Sequence, residues 1–453
     1  MELAERLAVV VSAALSEDAT VTDLRRLSGG ASRETWSFDA TTVSGLRALI
    51  LRRDPPGAPK AGMELEARLL TVAGSAGVPV PEVVAASDDQ SILGTSFLVM
   101  ERVEGETIPR KLLRDEEWAD ARTHLASDCG AALAHLHAVD VGEVAGLDDT
   151  DPLEQWQAAL DALGEPHPAF ELALLWLRDN RPPAGRTTIV HGDFRNGNLL
   201  VGPAGLRAVL DWELAHAGDP LEDLGWLCVR SWRFGADDKQ AGGFGTYDDL
   251  VRAYEDAGGA TVDRSALHWW ETFGTLRWGV ICILQASAHL SGAVRSVELA
   301  AIGRRVCENE WDVMSCLAAA GWPAGSVLAA VDETAERPVT DDLHGRPTAA
   351  ELLEAVRLFV ENDVLSATEG RIRFHGRVAA KALAMVEREL AAGPGPSQAH
   401  SRRLASLGMA TDAELAAAIR AGLVDDRLPQ VRDAVRASVL DKLRVANPSH
   451  IDT

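Results

Sequence analysis

The hydrophobic and polar positions of the first hundred residues predict a small β-sheet that carries one helix. Strand-like residues occur at Leu24–Leu27, Glu34–Phe38, Ala48–Arg52 and Ser96–Val103, and turns rich in Gly, Ser or Pro separate the first three runs. Between these runs, Met63–Ala73 has apolar residues at helical spacing. We therefore expect strands and a single inserted helix in this region.

After Gly105 the pattern becomes mainly helical. Three short apolar runs interrupt it, at Ile189–Val190, Leu199–Val201 and Arg207–Leu210, and we expect the first two to pair as a hairpin beside the third. The predicted helices are Trp118–Val139, Glu171–Leu177, Leu221–Val229, Tyr247–Asp256, Ser265–Ser287 and Val297–Leu317. The sequence thus predicts an α+β protein whose strands are concentrated near its N-terminus.

A polar stretch with two prolines and one glycine, ETAERPVTDDLHGRP at 333–347, predicts a linker. An Ala-rich, charged block follows at 348–453, with helices over Ala349–Asn362 and Gly376–Ala392, a flexible AAGPGPSQAH segment and two further helices. We see no repeat at solenoid periods. We therefore predict a separate all-α domain after the linker.

The composition of the 453 residues is that of an ordinary globular protein, with 47% hydrophobic and 25% charged residues. The apolar run Gly279–Leu284 is too short to span a membrane. The N-terminal run Leu7–Leu15 follows Glu2 and Glu5, the wrong charge for a signal peptide. Five cysteines without a C-x-x-C pair predict buried, reduced thiols. We expect a cytoplasmic protein.

The formal net charge of −24 disfavours nucleic acid and anionic membranes as partners, because both require a basic surface. The same charge could favour a cationic substrate or could serve only solubility. The basic residues are 5 Lys and 39 Arg, so almost no lysine is available for catalysis.

The residues best suited to chemistry lie in IVHGDFRNGNLLV at 189–201 and in AVLDWE at 208–213. The first segment has the form H-x-D-x-x-x-x-N, with His191, Asp193 and Asn198, and Asp211 follows the next predicted strand. Phosphoryl transfer needs one carboxylate to accept the proton of the attacking hydroxyl, and an amide oxygen and a second carboxylate to hold Mg²⁺. The pattern therefore indicates phosphoryl transfer rather than a polar turn.

These two segments, with AHAGDPLEDLGW after them, resemble the aminoglycoside phosphotransferase and choline kinase family over about residues 21–320. The resemblance implies a bilobal, protein-kinase-like fold, with a small β-rich N-lobe at 1–103 and a mainly helical C-lobe at 104–332. It implies that Asp193 is the catalytic base and that Asn198 and Asp211 bind Mg²⁺ with ATP or GTP. His191 would brace the loop.

The nucleotide side of such a site is also recognisable upstream. Gly29, Gly30 and Ser32 lie between two predicted strands, where backbone N–H groups could close over phosphates. The wider fold uses a strand lysine paired with a helix glutamate; here Arg52 and Glu66 are the expected ion pair. Arginine keeps its charge and can grip phosphate with two parallel donors.

Two further segments complete the expected site. FLVMERVEG at 97–105 resembles the hinge between the lobes, so adenine would bond to the backbone near Glu101 and Val103. Asp219 fits a helix N-cap that anchors the Asp211 segment. Arg230, Trp232 and Arg233 are candidates for the rim of the acceptor cleft, where arginines could hold an anionic acceptor.

The run LRRDPPG and the segment GDPLEDLGW are most similar to phosphotransferase domains associated with acyl-CoA dehydrogenases. That resemblance implies a hydroxyacyl or related small hydroxylated acceptor. The C-terminal block resembles a helical domain of unknown function appended to such phosphotransferases, for which dimerisation or substrate gating is a hypothesis.

Three functions remain open from sequence: a Mg-nucleotide-dependent small-molecule kinase, a nucleotide-binding module without catalysis, and a metallohydrolase using His191, Asp193 and Asp211. An aminoglycoside-modifying kinase is an alternative acceptor assignment within the first. The kinase explains the upstream glycine loop and the hinge, which the metallohydrolase leaves without a purpose.

Overall fold

A computed structural model describes residues 2–27, 33–55, 62–322 and 348–451. The chain divides into two compact units. One comprises Met1–Asp149 and Pro182–Glu271, and the other comprises Thr150–Arg181 and Thr272–Thr453. The predicted linker at 333–347 lies outside the described residues. The boundaries drawn at residues 103 and 332 divide the chain by role and stay a prediction.

The strands in the described part of the chain all belong to the first unit. They are β1 Thr20–Arg26, β2 Glu34–Thr42, β3 Gly45–Arg53, β4 Val83–Ser87, β5 Phe97–Glu101, β6 Thr188–Val190, β7 Leu199–Gly202, β8 Gly205–Val209 and β9 His216–Gly218.

The helices follow the predicted pattern closely. They are α1 Leu3–Leu15, α2 Met63–Ser75, α3 Gln90–Leu93, α4 Pro109–Arg114, α5 Ala119–Ala138, α6 Pro152–Leu163, α7 Pro168–Asp179, α8 Leu221–Cys228, α9 Tyr247–Asp256, α10 Arg264–Leu290, α11 Val297–Arg304, α12 Val306–Ala319, α13 Ala349–Phe359, α14 Leu365–Ala367, α15 Gly370–Ala392, α16 Gly395–Ser406, α17 Asp412–Arg420 and α18 Leu428–Ala446. The α+β class, with an N-terminal sheet and a mostly helical remainder, is confirmed. None of the helices in the described ranges combines the length and the apolar character that a membrane span requires.

The N-terminal strands form one antiparallel sheet in the order β1-β2-β3-β5-β4. Side chains alternate across it, so Leu49 and Leu51 of β3 pack with Leu7 and Val11 of α1 on one face. Arg52 is the next residue of β3 and therefore points to the other face, where α2 packs. This alternation brings Arg52 towards α2.

The predicted hairpin between the runs at 189–190 and 199–201 is wrong. β6 pairs with β9 through Val190 and His216, and β7 pairs with β8 through Leu199 and Val209. The β7–β8 turn is the short one, at Gly202–Gly205, so β7 closes on the strand that follows it rather than on the one before. The polar loop at 191–198 therefore connects two separate two-stranded sheets.

The second unit consists of helices in the described ranges. Its buried acidic residues lie at the centre: Glu308, Glu310 and Asp312 on α12 contact Asn447, Lys442 and His450, which lie on or just after α18. Glu171 of α7 contacts Arg420 of α17 in the same way. The C-terminal helices thus pack against α7 and α12 as one body.

The AAGPGPSQAH segment, predicted to be flexible, is instead partly helical. Gly393 has φ +59° and follows α15, and α16 begins at Gly395 with Pro396 in its first turn. Proline is tolerated there because the first helical N–H groups have no partner in the helix. The prediction of flexibility is therefore wrong from Gly395 onwards.

Candidate active site

A buried carboxylate on α8 holds the start of the polar loop. Asp223 accepts hydrogen bonds from the backbone N–H groups of His191 at 2.7 Å and Gly192 at 2.9 Å. His137 Nε2 lies 3.3 Å from the same carboxylate. Burial raises the pKa of Asp223, but the hydrogen bond and charge of His137 outweigh it and leave that pKa below its ordinary value. Asp223 is therefore an ionised anchor for the loop.

Gly192 turns the chain in a conformation that only glycine adopts easily. Its φ is +78°, and a Cβ atom built there would lie 2.3 Å from the carbonyl oxygen of Leu214. The tight approach lets the loop pass close to the segment that carries Asp211.

His191 is fully buried and braces the loop through both ring nitrogens. The Asp193 backbone N–H donates to Nδ1 at 3.1 Å, so Nδ1 carries no proton and Nε2–H donates to the Leu210 carbonyl at 3.1 Å. Burial lowers the pKa of His191, which keeps the ring neutral. The ring also packs edge-on against Trp212, with centroids 4.6 Å apart.

The Asp193 carboxylate is held by three side-chain donors. Oδ1 accepts from Trp226 Nε1 and from Arg195 Nε, each at 2.9 Å, and Oδ2 accepts from Asn198 Nδ2 at 2.6 Å. The Arg195 guanidinium stacks on Trp232, 4.5 Å from the ring centroid. Because each donor comes from a packed side chain, the orientation of the carboxylate is fixed in advance.

Asn198 pairs with the residue that precedes Asp211: the Leu210 N–H donates to the Asn198 carbonyl at 2.8 Å, beside the start of the β7–β8 pair. The Asn198 amide nitrogen donates to the backbone and the carboxylate of Asp193, which leaves its Oδ1 as the acceptor end. Asp211 has φ +66°, unusual for a residue other than glycine and typical of functional sites.

The donor set fits a hard cation. Asn198 Oδ1 and the Asp211 carboxylate are oxygen ligands of the kind that Mg²⁺ prefers, and Mg²⁺ commonly takes only one or two protein ligands. No group of three or more His, Cys, Asp or Glu side chains suited to a metal occurs in the described ranges. Asn198 and Asp211 could hold such an ion by virtue of their oxygen donors.

The structure brings Arg52 and Glu66 together and adds a second arginine. Arg52 Nη1 bonds to Glu66 Oε1, and Arg33 Nη1 bonds to Glu66 Oε2. Arg52 Nη2 lies 2.5 Å from Asp211 Oδ1. Glu66 is 2% exposed, so both of its oxygens depend on these two guanidinium groups.

Two further carboxylates lie beside Arg33. Its Nε lies 3.4 Å from Asp54 Oδ1 and 3.5 Å from Glu213 Oε2. Burial and the neighbouring charge of Asp211 raise the pKa of Glu213. The cluster still contains more carboxylates than guanidinium groups, which is a favourable environment for a divalent cation.

The other residues predicted to bind the nucleotide lie in the glycine loop and at the end of β5. Gly29, Gly30 and Ser32 lie outside the described residues. Glu101 ends β5, and its backbone N–H donates to the Glu82 carbonyl at 2.9 Å, so this N–H is used within the protein. Val103 follows β5 and is half-buried.

The three predicted rim residues have different environments. Arg230 pairs with Asp237, with 3.0 Å between Nη2 and Oδ2. Trp232 is buried and stacks on Arg195 as described. Arg233 is 9% exposed, and its guanidinium donates to the Cys228 carbonyl and to Glu271. Arg233 thus lies inside the protein, which favours a structural role over contact with an acceptor.

Asp219 lies at the start of α8, where its Oδ1 accepts the Leu221 N–H at 2.9 Å. Burial raises the pKa of Asp219. This contact ties α8 to the segment after Asp211, the mechanical role that its position suggested.

The sequence reasoning missed Asp223, Trp226, Arg195 and Arg33. The first two lie in the quoted run DPLEDLGW, and one turn of α8 separates the acid from the indole, so their shared helix face could have been noticed. Arg195 lies within the quoted loop itself. Arg33 follows the glycine loop directly, and no local pattern distinguishes it from the other arginines.

Comparisons with known proteins agree with this geometry. Residues 23–260 match the phosphotransferase enzyme family (APH), and residues 366–450 match a domain family of unknown function (DUF6285). A crystal structure of a "putative aminoglycoside phosphotransferase" from Ralstonia eutropha JMP134 is 25% identical, with a TM-score of 0.55 over 69% of this chain and 97% of that chain.

The curated relatives carry similar names. Acyl-CoA dehydrogenase family member 10 of Mus musculus is 36% identical over 40% of this chain, and family member 11 of Gallus gallus is 32% identical over 45%. The matched parts make up 18% and 27% of those relatives, so the chain spans about a fifth to a quarter of their length. With the family match covering more than half of its residues and the kinase-like fold around Asp193, this chain belongs to the APH phosphotransferase enzyme family.

Proposed function

We propose that the protein is a Mg-nucleotide-dependent small-molecule kinase that transfers the γ-phosphate of ATP or GTP to a hydroxyl group. The observation that carries this proposal is the fixed Asp193 carboxylate, held by Trp226, Arg195 and Asn198 beside the Asp211 segment. A carboxylate in this position can accept the proton of a hydroxyl as that hydroxyl attacks phosphorus.

Each of the other residues has a separate task in this proposal. Mg²⁺ on Asn198 and Asp211 would neutralise charge on the nucleotide phosphates. Arg52 would hold phosphate oxygens with its fixed planar donors, in place of the usual lysine. Glu66 keeps Arg52 directed towards Asp211, and His191 keeps the loop in register. In this proposal the nucleobase bonds to the backbone near Glu101 and Val103. The phosphates bind at Gly29, Gly30 and Ser32.

The acceptor that we favour is a small hydroxylated molecule of the hydroxyacyl type. Its support is the likeness to proteins named acyl-CoA dehydrogenase family members, which the chain matches over only part of their length. Arg230 is half-buried and remains a candidate for the rim. Trp232 and Arg233 are both buried, Trp232 against Arg195 and Arg233 against the Cys228 carbonyl. We also propose that the protein is cytoplasmic, that it has no nucleic-acid or membrane partner, and that it self-associates through residues 348–453.

The metallohydrolase hypothesis loses support, because both ring nitrogens of His191 are engaged within the protein and cannot ligate a metal. The binding module without catalysis predicts that nucleotide binds and no phosphate is transferred.

The test is transfer of labelled phosphate from ATP or GTP to a panel of hydroxyacyl-CoAs, amino alcohols and aminoglycosides. We expect Asp193→Asn to lower kcat by about 10²–10⁴-fold while the Kd for Mg-nucleotide changes little. Asp263→Asn, an exposed carboxylate at the start of α10, is the matched control and should be neutral. Equal activity of wild type and Asp193→Asn would refute the assigned base.

A further inference from the structure

The glutamate that pairs with Arg52 is shared between two arginines, which changes how Arg52 can be used. Arg52 takes Glu66 Oε1 with one arm, Nη1, and Arg33 takes Glu66 Oε2. The second arm of Arg52, Nη2, extends to Asp211 Oδ1 at 2.5 Å. The three side chains Arg33, Glu66 and Arg52 are called the arginine–glutamate clamp below.

An arginine and a carboxylate left alone prefer two parallel hydrogen bonds, in which both arms of the guanidinium face the acid. Such a pair would turn Nη2 of Arg52 back towards Glu66. Arg33 bonds to the second oxygen of Glu66 and so competes with the parallel arrangement, and Nη2 of Arg52 is directed towards Asp211.

A lysine has no such requirement, because its ammonium group is a compact charge that cannot form a two-armed pair. The need for Arg33 thus arises from the presence of arginine rather than lysine at residue 52. We propose that Arg33 is a positioning residue that frees one arm of Arg52 for the nucleotide phosphates; this inference rests on the proposed kinase function.

Burial and charge support this role over direct phosphate binding by Arg33. Its side chain is 9% exposed, and its Nε also lies near Asp54 and Glu213. Four carboxylates surround two guanidinium groups in this cluster: Asp54, Glu66, Asp211 and Glu213. Arg33 is therefore committed to carboxylates on three sides, whereas Arg52 reaches the Asp211 side.

The experiment is a double-mutant cycle on nucleotide binding, measured by calorimetry with Mg-ADP and a non-hydrolysable Mg-ATP analogue. We expect Arg33→Met to raise Kd about tenfold when residue 52 is arginine, and less than about threefold when Arg52→Lys is also present. An equal loss in both backgrounds, or no loss in either, overturns the proposal. An equal loss would indicate that Arg33 contacts the phosphates or only maintains the fold.

Two further variants keep the test decisive. Arg33→Lys retains a cation for Glu66 Oε2 and should restore most of the binding lost in Arg33→Met. If Arg52→Lys abolishes nucleotide binding by itself, the comparison of Arg33→Lys with Arg33→Met decides the test. Equal losses of binding in these two variants overturn the proposal. Arg26→Met removes an exposed arginine of β1 that pairs with Glu34, and it should leave Kd unchanged. Thermal unfolding of every variant separates lost binding from lost fold.

Failure of the inference and failure of the proposed function are distinguishable. Wild-type protein that binds no Mg-nucleotide refutes the kinase proposal together with this inference. Wild-type binding without the expected difference between the backgrounds with and without Arg52→Lys refutes the role of Arg33 alone.

Discussion

Two of the three donors to Asp193, Arg195 and Asn198, lie in the same loop as the carboxylate. The third is the indole of Trp226, which sequence reasoning had least reason to include. It reaches Asp193 Oδ1 from α8, whose first turn also carries the Asp223 anchor. One short helix therefore fixes both the backbone of the loop and the carboxylate at its centre. Loss of the indole N–H should affect reactivity more than folding.

We expect Trp226→Phe to lower kcat about tenfold, because a hydrogen bond to a charged group contributes on the order of 1.5–3 kcal/mol. The Kd for Mg-nucleotide should change little, since Trp226 bonds to the proposed catalytic base Asp193 and not to a residue assigned to the nucleotide. Steady-state kinetics with calorimetry measure the two quantities. Trp269→Phe, another buried tryptophan of the same unit, is the control; an equal effect in both variants would indicate general loss of packing.

At the residue scale, the sequence predicted the acids and amides but not the groups that orient them. Asp193, Asn198 and Asp211 could be predicted from the sequence because phosphoryl transfer requires those side chains in a recognisable spacing. The pairing of Arg52 with Glu66 followed from the resemblance to the kinase-like fold, which pairs a strand cation with a helix glutamate. The spacing in α8 indicates that Asp223 and Trp226 share a helix face, but it does not indicate that Asp223 holds the loop, because an acid in the first turn of a helix usually serves the helix itself.

At the scale of elements, the loop at 191–198 contains two glycines with positive φ, Gly192 at +78° and Gly197 at +101°. At Gly192 a Cβ would also collide with the Leu214 carbonyl. The loop joins β6, paired with β9, to β7, paired with β8. Sequence pattern identified the three runs as strands but not their partners, because pairing depends on turn geometry and on contacts between distant residues. The β6–β9 pair spans 26 residues from Val190 to His216, too far for a local signal.

We expect Gly192→Ala to lower the free energy of unfolding by more than the about 1 kcal/mol typical of left-handed strain, because its Cβ would meet the Leu214 carbonyl at 2.3 Å. Gly94→Ala is the matched control, since Gly94 has φ +89° with no atom within 4 Å of a built Cβ. Urea denaturation of both variants isolates the steric part. Equal destabilisation would show that the contact with Leu214 relaxes at no cost.

At the scale of the whole molecule, the second unit is organised around buried acids. Glu310 is 1% exposed and meets Lys442 at 3.1 Å and His167 at 3.0 Å. Sequence pattern predicted α12 and α18 as helices but could not predict that their charges match across 132 positions of the chain. The family of unknown function covers only the later helices, so neither comparison describes this junction.

Glu310 makes the stability of the second unit sensitive to acid. Burial alone would raise its pKa, but Lys442 and His167 outweigh burial and lower the pKa from 4.5 to about 2. A carboxyl group with a lowered pKa stabilises the fold fully above about pH 4.5, and this contribution falls as the pH drops towards 2. The difference between the two pKa values corresponds to a contribution on the order of 3 kcal/mol to the free energy of unfolding.

We therefore expect the unfolding free energy of wild type to fall more steeply between pH 4.5 and 2.5 than that of Glu310→Gln, measured by urea denaturation at each pH. The variant should be less stable than wild type at neutral pH, because Lys442 loses its partner. Glu389→Gln removes an exposed acid paired with Arg304 and should keep the wild-type slope. Identical slopes in all three proteins would contradict the assignment.

The matched charges of α12 and the C-terminal helices also limit how these proteins can be recombined. A chimaera that takes the residues up to the end of α12 from this chain and the later helices from a relative would place Glu308, Glu310 and Asp312 against foreign side chains. Unless that tail offers cations or donors at the positions of Lys442, Asn447 and His450, the junction would bury uncompensated negative charge. Helix α12 and the C-terminal helices must therefore be exchanged as a set.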